Sequence, residues 1–256
     1  MTLNDLLELY ERKLGGVYDI RMEGKENIQQ GKAIYAASHH HFFDPLFVAY
    51  TLSRETETWV HYLAKDSLFR IPILRKYMRE ADAIPITRPY KQKKHLDDVV
   101  ERIPDQKRMK RFMDDYPDLK QKVLSVYEAD EAIGFALAGT RTHGPKENEL
   151  IYQENGEIKE AGGALIRLLT PTKDIDIFPV NVDVHEKDSD DHFLDGMKAL
   201  LGLRKKEKIP VEISVGKPIH VASYLKRHSK QELAEELRDD YWALKCPSNF
   251  CEYSKS

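Results

Sequence analysis

Ser38-His39-His40-His41-Phe42-Phe43-Asp44-Pro45 places imidazoles and a carboxylate at fixed spacing between an apolar run and the start of a helix. Ahead of it, Ala33-Ile34-Tyr35-Ala36-Ala37 follows a Gly31 turn and reads as a buried strand. Behind it, Pro45 suits the first position of a helix through Leu46-Phe47-Val48-Ala49-Tyr50, with Asp44 as the residue that would cap it. A buried strand leading through a short turn into a helix is the unit of an α/β sheet.

Five residues apart on a regular helix, His39 and Asp44 would point in different directions, so the pair needs a turn to meet. On such a turn the Asp44 carboxylate can take a hydrogen bond from one nitrogen of His39, fix the tautomer and leave the other nitrogen as a base toward an alcohol. Residue types alone leave a second reading open, in which Asp44 only caps its helix and the histidines are loop residues.

The spacing His-x4-Asp is accompanied by further blocks in a fixed order. They are Gly24-Lys25-Glu26-Asn27-Ile28, Lys65 leading an apolar loop, Ile84-Pro85-Ile86-Thr87-Arg88, Gly139-Thr140-Arg141-Thr142, Ile177-Phe178-Pro179-Val180 and Val215-Gly216-Lys217-Pro218-Ile219. This ordered set, from about Gly15 to Ile219, resembles the glycerophospholipid acyltransferase family, whose best-known members acylate lysophosphatidic acid or glycerol 3-phosphate. The resemblance implies a single α/β domain over 1–256, a mixed central sheet flanked by helices, and His39 and Asp44 as the catalytic pair. It also implies acceptor binding by Lys65, Arg88, Gly139, Thr140 and Arg141, with no metal.

The chain departs from the family pattern at several places. Ser38 precedes the histidine where the family usually has Asn, and His41 stands where Ser is usual. Ala138 replaces a glutamate ahead of Gly139, Leu137 replaces a proline, and Asp82 or Ala83 stands where a glycine is usual. The Ala138 change bears on the acceptor head group. The segment between Arg88 and Gly139 is longer than the family's.

With 256 residues, 41% hydrophobic and 32% charged, the chain can bury one substantial core. A net charge of −3 gives no general basic excess of the kind that nucleic acid attracts. No apolar run is long enough to span a bilayer, and the N-terminus lacks the charged-then-apolar order of a signal peptide. Cys246 and Cys251 have no second pair for a zinc site and read as reduced thiols. The expected setting is cytoplasmic, at the inner face of a membrane.

Leu3, Leu6, Leu7, Tyr10 and Leu14 repeat at helical spacing and predict an amphipathic helix over about 3–14, ended by Gly15-Gly16. Its apolar face has two homes, the protein core or a membrane interface. Thr58 to Leu63 reads as a strand, followed by 64–78, in which large apolar residues mix with Arg70, Arg75 and Lys76 in the manner of a lipid-facing rim.

Arg88 and Arg141 each follow a short strand, Gly139 lets backbone amides approach an anion, and Lys65 adds a point charge. Converging at one sheet edge with His39, these three cations would hold a phosphate.

The segment 91–130 predicts two or three short helices separated by Pro104 and Pro117. Their stripes are Leu96, Val99, Val100, Ile103; Met109, Phe112, Met113, Tyr116; and Leu119, Val123, Val126, Tyr127. Lys107, Arg108, Lys110 and Arg111 form a cluster suited to an acidic carrier protein or to solvent. Residues 144–156 read as loop, 161–169 as helix, 175–182 as strand, 185–208 as polar with a surface helix, and 211–215 as strand. Ser229 and Glu232 form a capping box for a last helix packed through Leu233, Leu237, Tyr241 and Leu244.

The expected activity is transfer of a fatty acyl group from an acyl thioester to a hydroxyl of lysophosphatidic acid or a related glycerol phosphate, a step of phospholipid biosynthesis. The thioester, on coenzyme A or acyl carrier protein, would be a co-substrate and no other cofactor is called for. No Gly-x-Ser-x-Gly is present, so transfer would be direct. Two other readings stand beside it. One is a metal-dependent hydrolase using His39, His41, Asp44 and a distant histidine such as His61 or His143, against which Pro45 directly after the aspartate weighs. The other is a non-catalytic lipid-binding relative, motivated by Ala138.

Overall fold

The first helix, α1 (Leu3–Leu14), opens with a reciprocal cap. The Thr2 hydroxyl accepts from the Asp5 N–H at 3.2 Å, and the Asp5 carboxylate accepts from the Thr2 N–H at 2.8 Å. Two donors that a helix start leaves orphaned are thereby satisfied. Leu6, Tyr10 and Leu14 are buried, so the apolar face of α1 belongs to the protein core. Tyr10 sits edge-on to Tyr50 and donates its hydroxyl hydrogen to the Tyr77 carbonyl at 3.2 Å.

This computed structural model describes residues 2–39, 43–87, 90–94, 100–137, 151–154, 157–160, 172, 174–184, 193–203 and 207–244. After α1 come β1 (Tyr18–Glu23), β2 (Ile34–Ala37), α2 (Asp44–Thr56), β3 (Val60–Lys65), α3 (Pro72–Glu80) and β4 (Ile84–Ile86). A hairpin of β5 (Tyr90–Lys94) and β6 (Val100–Pro104) precedes the long α4 (Gln106–Glu128) and β7 (Ala132–Ala136). A second hairpin joins β8 (Ile151–Glu154) and β9 (Glu157–Glu160). The last elements are β10 (Asp176–Val184), α5 (Phe193–Leu200), β11 (Ile209–Val215), β12 (Ile219–His220), α6 (Val221–Tyr224) and α7 (Lys230–Ala243).

The main sheet has the order β1-β11-β10-β2-β7-β3-β4, with β12 paired to β10. Strands β10, β2, β7, β3 and β4 run parallel; β11 is antiparallel to β10 and carries β1 parallel to itself. This is the mixed sheet that the sequence predicts. Strand β2 lies at its centre, buried at all four residues, and its side chains alternate between two cores. Tyr35 and Ala37 join the core under α1, α2, α3 and α5; Ile34 and Ala36 join the one under α4 and α7.

Several expectations need correction. The segment from 91 to 103 was expected as helix, yet β5 and β6 form an antiparallel pair from Tyr90↔Pro104 to Lys94↔Val100. Val100 and Ile103 are β-branched and suit a strand as well as they suit a helical stripe; Leu96 and Val99 lie outside the described residues. Pro117 does not end a helix, because α4 runs through it. The carbonyl it deprives of a helical donor, that of Met113, lies on an exposed turn of the helix, where losing the bond costs little. Within the expected loop 144–156, residues 151–154 are a strand paired with β9. The expected helix at 161–169 and both cysteines lie outside the described residues.

The expected lipid-facing rim at 64–78 mostly turns inward. Leu74 and Tyr77 are buried and Leu68 and Met78 pack against the core, leaving Ile71 exposed. The predicted Ser229–Glu232 capping box is present, with Leu233, Leu237 and Tyr241 buried beneath α7.

Candidate active site

The turn after β2 begins with Ser38, which is buried and tied twice to β10. Its N–H donates to the Val180 carbonyl at 2.8 Å, and its hydroxyl accepts from the Val182 N–H at 2.9 Å. The next residue, His39, thus leaves the carboxyl end of the central strand from a fixed position. In open α/β sheets this edge is where ligands bind.

Asp44 approaches from the other side of the turn. It is not the helix cap: Phe43 holds that position with φ −95° and ψ −1° and gives no side-chain cap bond, so Asp44 is the first residue of α2. Its carboxylate is wholly buried at the positive end of the α2 dipole, which favours the anion. The Phe43 ring lies against α5 so closely that a Cβ on Gly196 would stand 1.9 Å from it, which anchors the start of α2 to that helix.

The Asp44 Oδ2 to His39 Nδ1 separation is 3.6 Å, with the His39 side chain 14% exposed. This is longer than a good hydrogen bond but within ion-pair reach, and catalytic contacts of this kind shorten when substrate is bound. The tertiary structure therefore brings the two residues together as the spacing required, and leaves one edge of the imidazole directed away from the carboxylate.

Lys65 ends β3 opposite Ile86, the last residue of β4. Arg88 lies two residues beyond β4 and outside the described residues, as do Gly139, Thr140 and Arg141 beyond β7, together with Ala138 and His41. The Leu137 N–H donates to the Ala37 carbonyl at 3.0 Å, so β7 reaches the same edge as β2. His61, one of the suggested metal ligands, is elsewhere. It lies near the opposite edge, paired in register with Ile133, its Nε2 at 2.8 Å from Glu131 Oε2 and its Nδ1 at 3.0 Å from the Asp82 carbonyl. His143 lies outside the described residues, and among the described residues no group of three or more His, Cys, Asp or Glu is arranged to hold a metal ion.

A profile of the acyltransferase family matches residues 19–183, from β1 to the end of β10. The chain belongs to the acyltransferase family. Its fold is similar to that of the 1-acyl-sn-glycerophosphate (LPA) acyltransferase PlsC from Thermotoga maritima, with a TM-score of 0.52 and 15% identity over 99% of this chain and 80% of that one. No curated protein matches the chain.

Two residues beside the His39–Asp44 pair of this acyltransferase have roles that sequence reading did not reach. Ser38 stands where the family usually has Asn, and its hydroxyl fastens the turn to β10. Tyr62 looked like an ordinary strand residue. Its phenol is wholly buried on the α2 face of β3, and burial, together with the Asp44 charge, holds its ionisation far above the usual range. Gly134 of β7, opposite both Tyr62 and Tyr35, makes room for that ring. The strand order that puts β7 between β2 and β3 creates this contact, and no local pattern encodes it.

Proposed function

We propose that this acyltransferase transfers a fatty acyl group from an acyl thioester to a hydroxyl of lysophosphatidic acid or a related glycerol phosphate. The observation that carries the reading is the buried Asp44 carboxylate 3.6 Å from His39 at the carboxyl edge of the parallel strands. Asp44 holds the imidazole through Nδ1, and Nε2 takes the proton of the acceptor hydroxyl as its oxygen attacks the thioester carbonyl. The tetrahedral oxyanion collapses, the carbon–sulfur bond breaks, and the departing thiolate receives the proton from His39. General-base help of this kind accounts for about 10²- to 10⁴-fold; orientation of the two substrates supplies more.

Lys65, Arg88 and Arg141 supply the charge for the acceptor phosphate, and Gly139 and Thr140 the close backbone approach. The thiol carrier is coenzyme A or acyl carrier protein. Acceptor and product are lipids, so the working place is the inner face of a membrane; among the described residues no helix is long and apolar enough to cross one.

The test is thiol release from a long-chain acyl thioester, with and without a chelator, across acceptors that include lysophosphatidic acid and glycerol 3-phosphate. Acceptor-dependent release that His39→Ala abolishes and a chelator leaves intact is expected. Arg141→Ala should raise the KM of phosphorylated acceptors far more than that of the thioester. Release without acceptor, lost to chelator, would replace the acyltransferase reading with the hydrolase.

A further inference from the structure

Helix α4 carries one apolar stripe along its length, and the body of the protein covers only part of it. Leu119, Val123, Val126 and Tyr127 are buried, while Tyr116 and Phe112 are half-buried with ring centroids 5.7 Å apart. Met113 and Met109 are 59% and 43% exposed. The cause is where the helix crosses the sheet. Lys122 Nζ meets Asp82 Oδ2 at 2.9 Å before β4 begins, and the Thr87 hydroxyl donates to Asp115 Oδ2 at 2.8 Å just after β4 ends. Residues 106–114 therefore project beyond the carboxyl edge of the parallel strands, the edge at which His39 stands.

This overhang is held to the turn after β3. Asp66 Oδ2 accepts from Arg111 at 3.0 Å and lies 3.4 Å from Arg70, beside which Ile71 is 40% exposed. Arg108 and Lys110 are exposed on either side of Met109, each about 100° round the helix from it. Of the acids in the same turns, Asp105 caps the helix by accepting from the Arg108 N–H at 3.1 Å, and Asp115 is engaged by Thr87 and Arg111. Asp114 is exposed, about 140° round the helix from Met109 and about 100° from Met113, so the cations gather at the Met109 end. Exposed apolar side chains bracketed by cations match an interface with an apolar interior and anionic head groups. Long unbranched methionines at a projecting helix end suit a fluid boundary, where no fixed shape has to be matched.

We propose that the overhang of α4 rests on an anionic lipid bilayer. Met109, Met113 and Ile71 enter the acyl boundary, and Arg108, Lys110 and Arg70 meet lipid phosphates. The surface so formed adjoins the His39 edge, so an acceptor lipid passes to the dyad without crossing water; this last step rests on the lipid-acceptor reading above.

The experiment is co-sedimentation of the full chain with phosphatidylcholine vesicles, with and without phosphatidylglycerol, for wild type, Met109→Glu/Met113→Glu and Arg108→Glu/Lys110→Glu. All four positions are exposed, and thermal unfolding checks that each variant is folded. Wild type should partition onto the phosphatidylglycerol vesicles and come off with added salt, and each double variant should partition at least ~10-fold less. Thiol release should fall with vesicle-embedded lysophosphatidic acid and stay unchanged with a short-chain, monomeric one. Undiminished partition of both variants would overturn the proposal. So would variants that keep vesicle binding but raise the KM of a carrier-protein thioester, which would make the overhang a carrier dock. If wild type released no thiol with any acceptor, the catalytic reading would fail, while the vesicle partition would still decide this surface.

Discussion

The Val182 N–H donates to the Ser38 hydroxyl at 2.9 Å, with both residues buried, and so a side chain from the turn that carries His39 takes the place of a backbone partner for β10. Ser38→Ala leaves that donor without an acceptor. It should lower the free energy of unfolding by about 1–3 kcal/mol, read from urea denaturation. Because His39 is the next residue, kcat should fall while the KM of the thioester changes little. An unaltered urea midpoint would show that water or a backbone shift replaces the bond.

Asp44 is buried to completion, and the role proposed for it depends on its charge. Asp44→Asn keeps the shape and removes the anion that orients the imidazole. We expect kcat lower by about 10²- to 10⁴-fold, with KM for either substrate within a few-fold of wild type. Activity near that of wild type in a variant with unchanged Tm would leave His39 acting without Asp44.

At Gly134 a Cβ would stand 2.7 Å from Cδ2 of Tyr62 and 3.1 Å from its Cε2. That ring is enclosed by core and cannot swing into solvent. Gly134→Ala should therefore cost about 1–3 kcal/mol of stability through overpacking, measured by the shift in denaturant midpoint. A neutral result would mean that β3 and β7 separate slightly at little cost.

Tyr10, Tyr35, Tyr62 and Tyr127 all have hydroxyls whose ionisation burial pushes upward. In the unfolded chain a tyrosine ionises near pH 10. Below that value both states hold these protons and the stabilisation is fully present. Above it the unfolded state releases protons that the folded state retains, so stability falls as pH rises. Thermal melts from pH 8 to about pH 11 should show a falling Tm, and phenolate absorbance from these tyrosines should appear together with loss of near-ultraviolet circular dichroism. Smooth phenolate titration of all thirteen tyrosines in a still-folded protein would contradict the burial.

Much of the architecture was legible because it is written in short-range patterns. Apolar runs bounded by turns marked β2, β3, β7, β10 and β11, helical stripes marked α1 and α7, and a capping box marked the start of α7. Misreadings fell where two structures share one pattern, as at β6, whose β-branched Val100 and Ile103 fit a strand as well as a helix stripe. They fell also at Pro117, which lies on an exposed turn that α4 runs through.

By itself the sequence determined the residue types and the spacing of the site: a base and a carboxylate separated by four residues, between a buried strand and a proline-started helix. It determined as well the order of the blocks that tie the chain to its family. Only the tertiary structure decided that Asp44 is a buried carboxylate 3.6 Å from His39 and Phe43 the helix cap, that Ser38 is a fastening, and that Tyr62 shares the field of Asp44. It also decided that the first turns of the α4 stripe leave Met109 and Met113 exposed. Periodicity says which side of a helix is apolar; how far along the helix a sheet extends to cover that side depends on strand order and register, which pair residues as distant in the chain as Ile34 and Ile177.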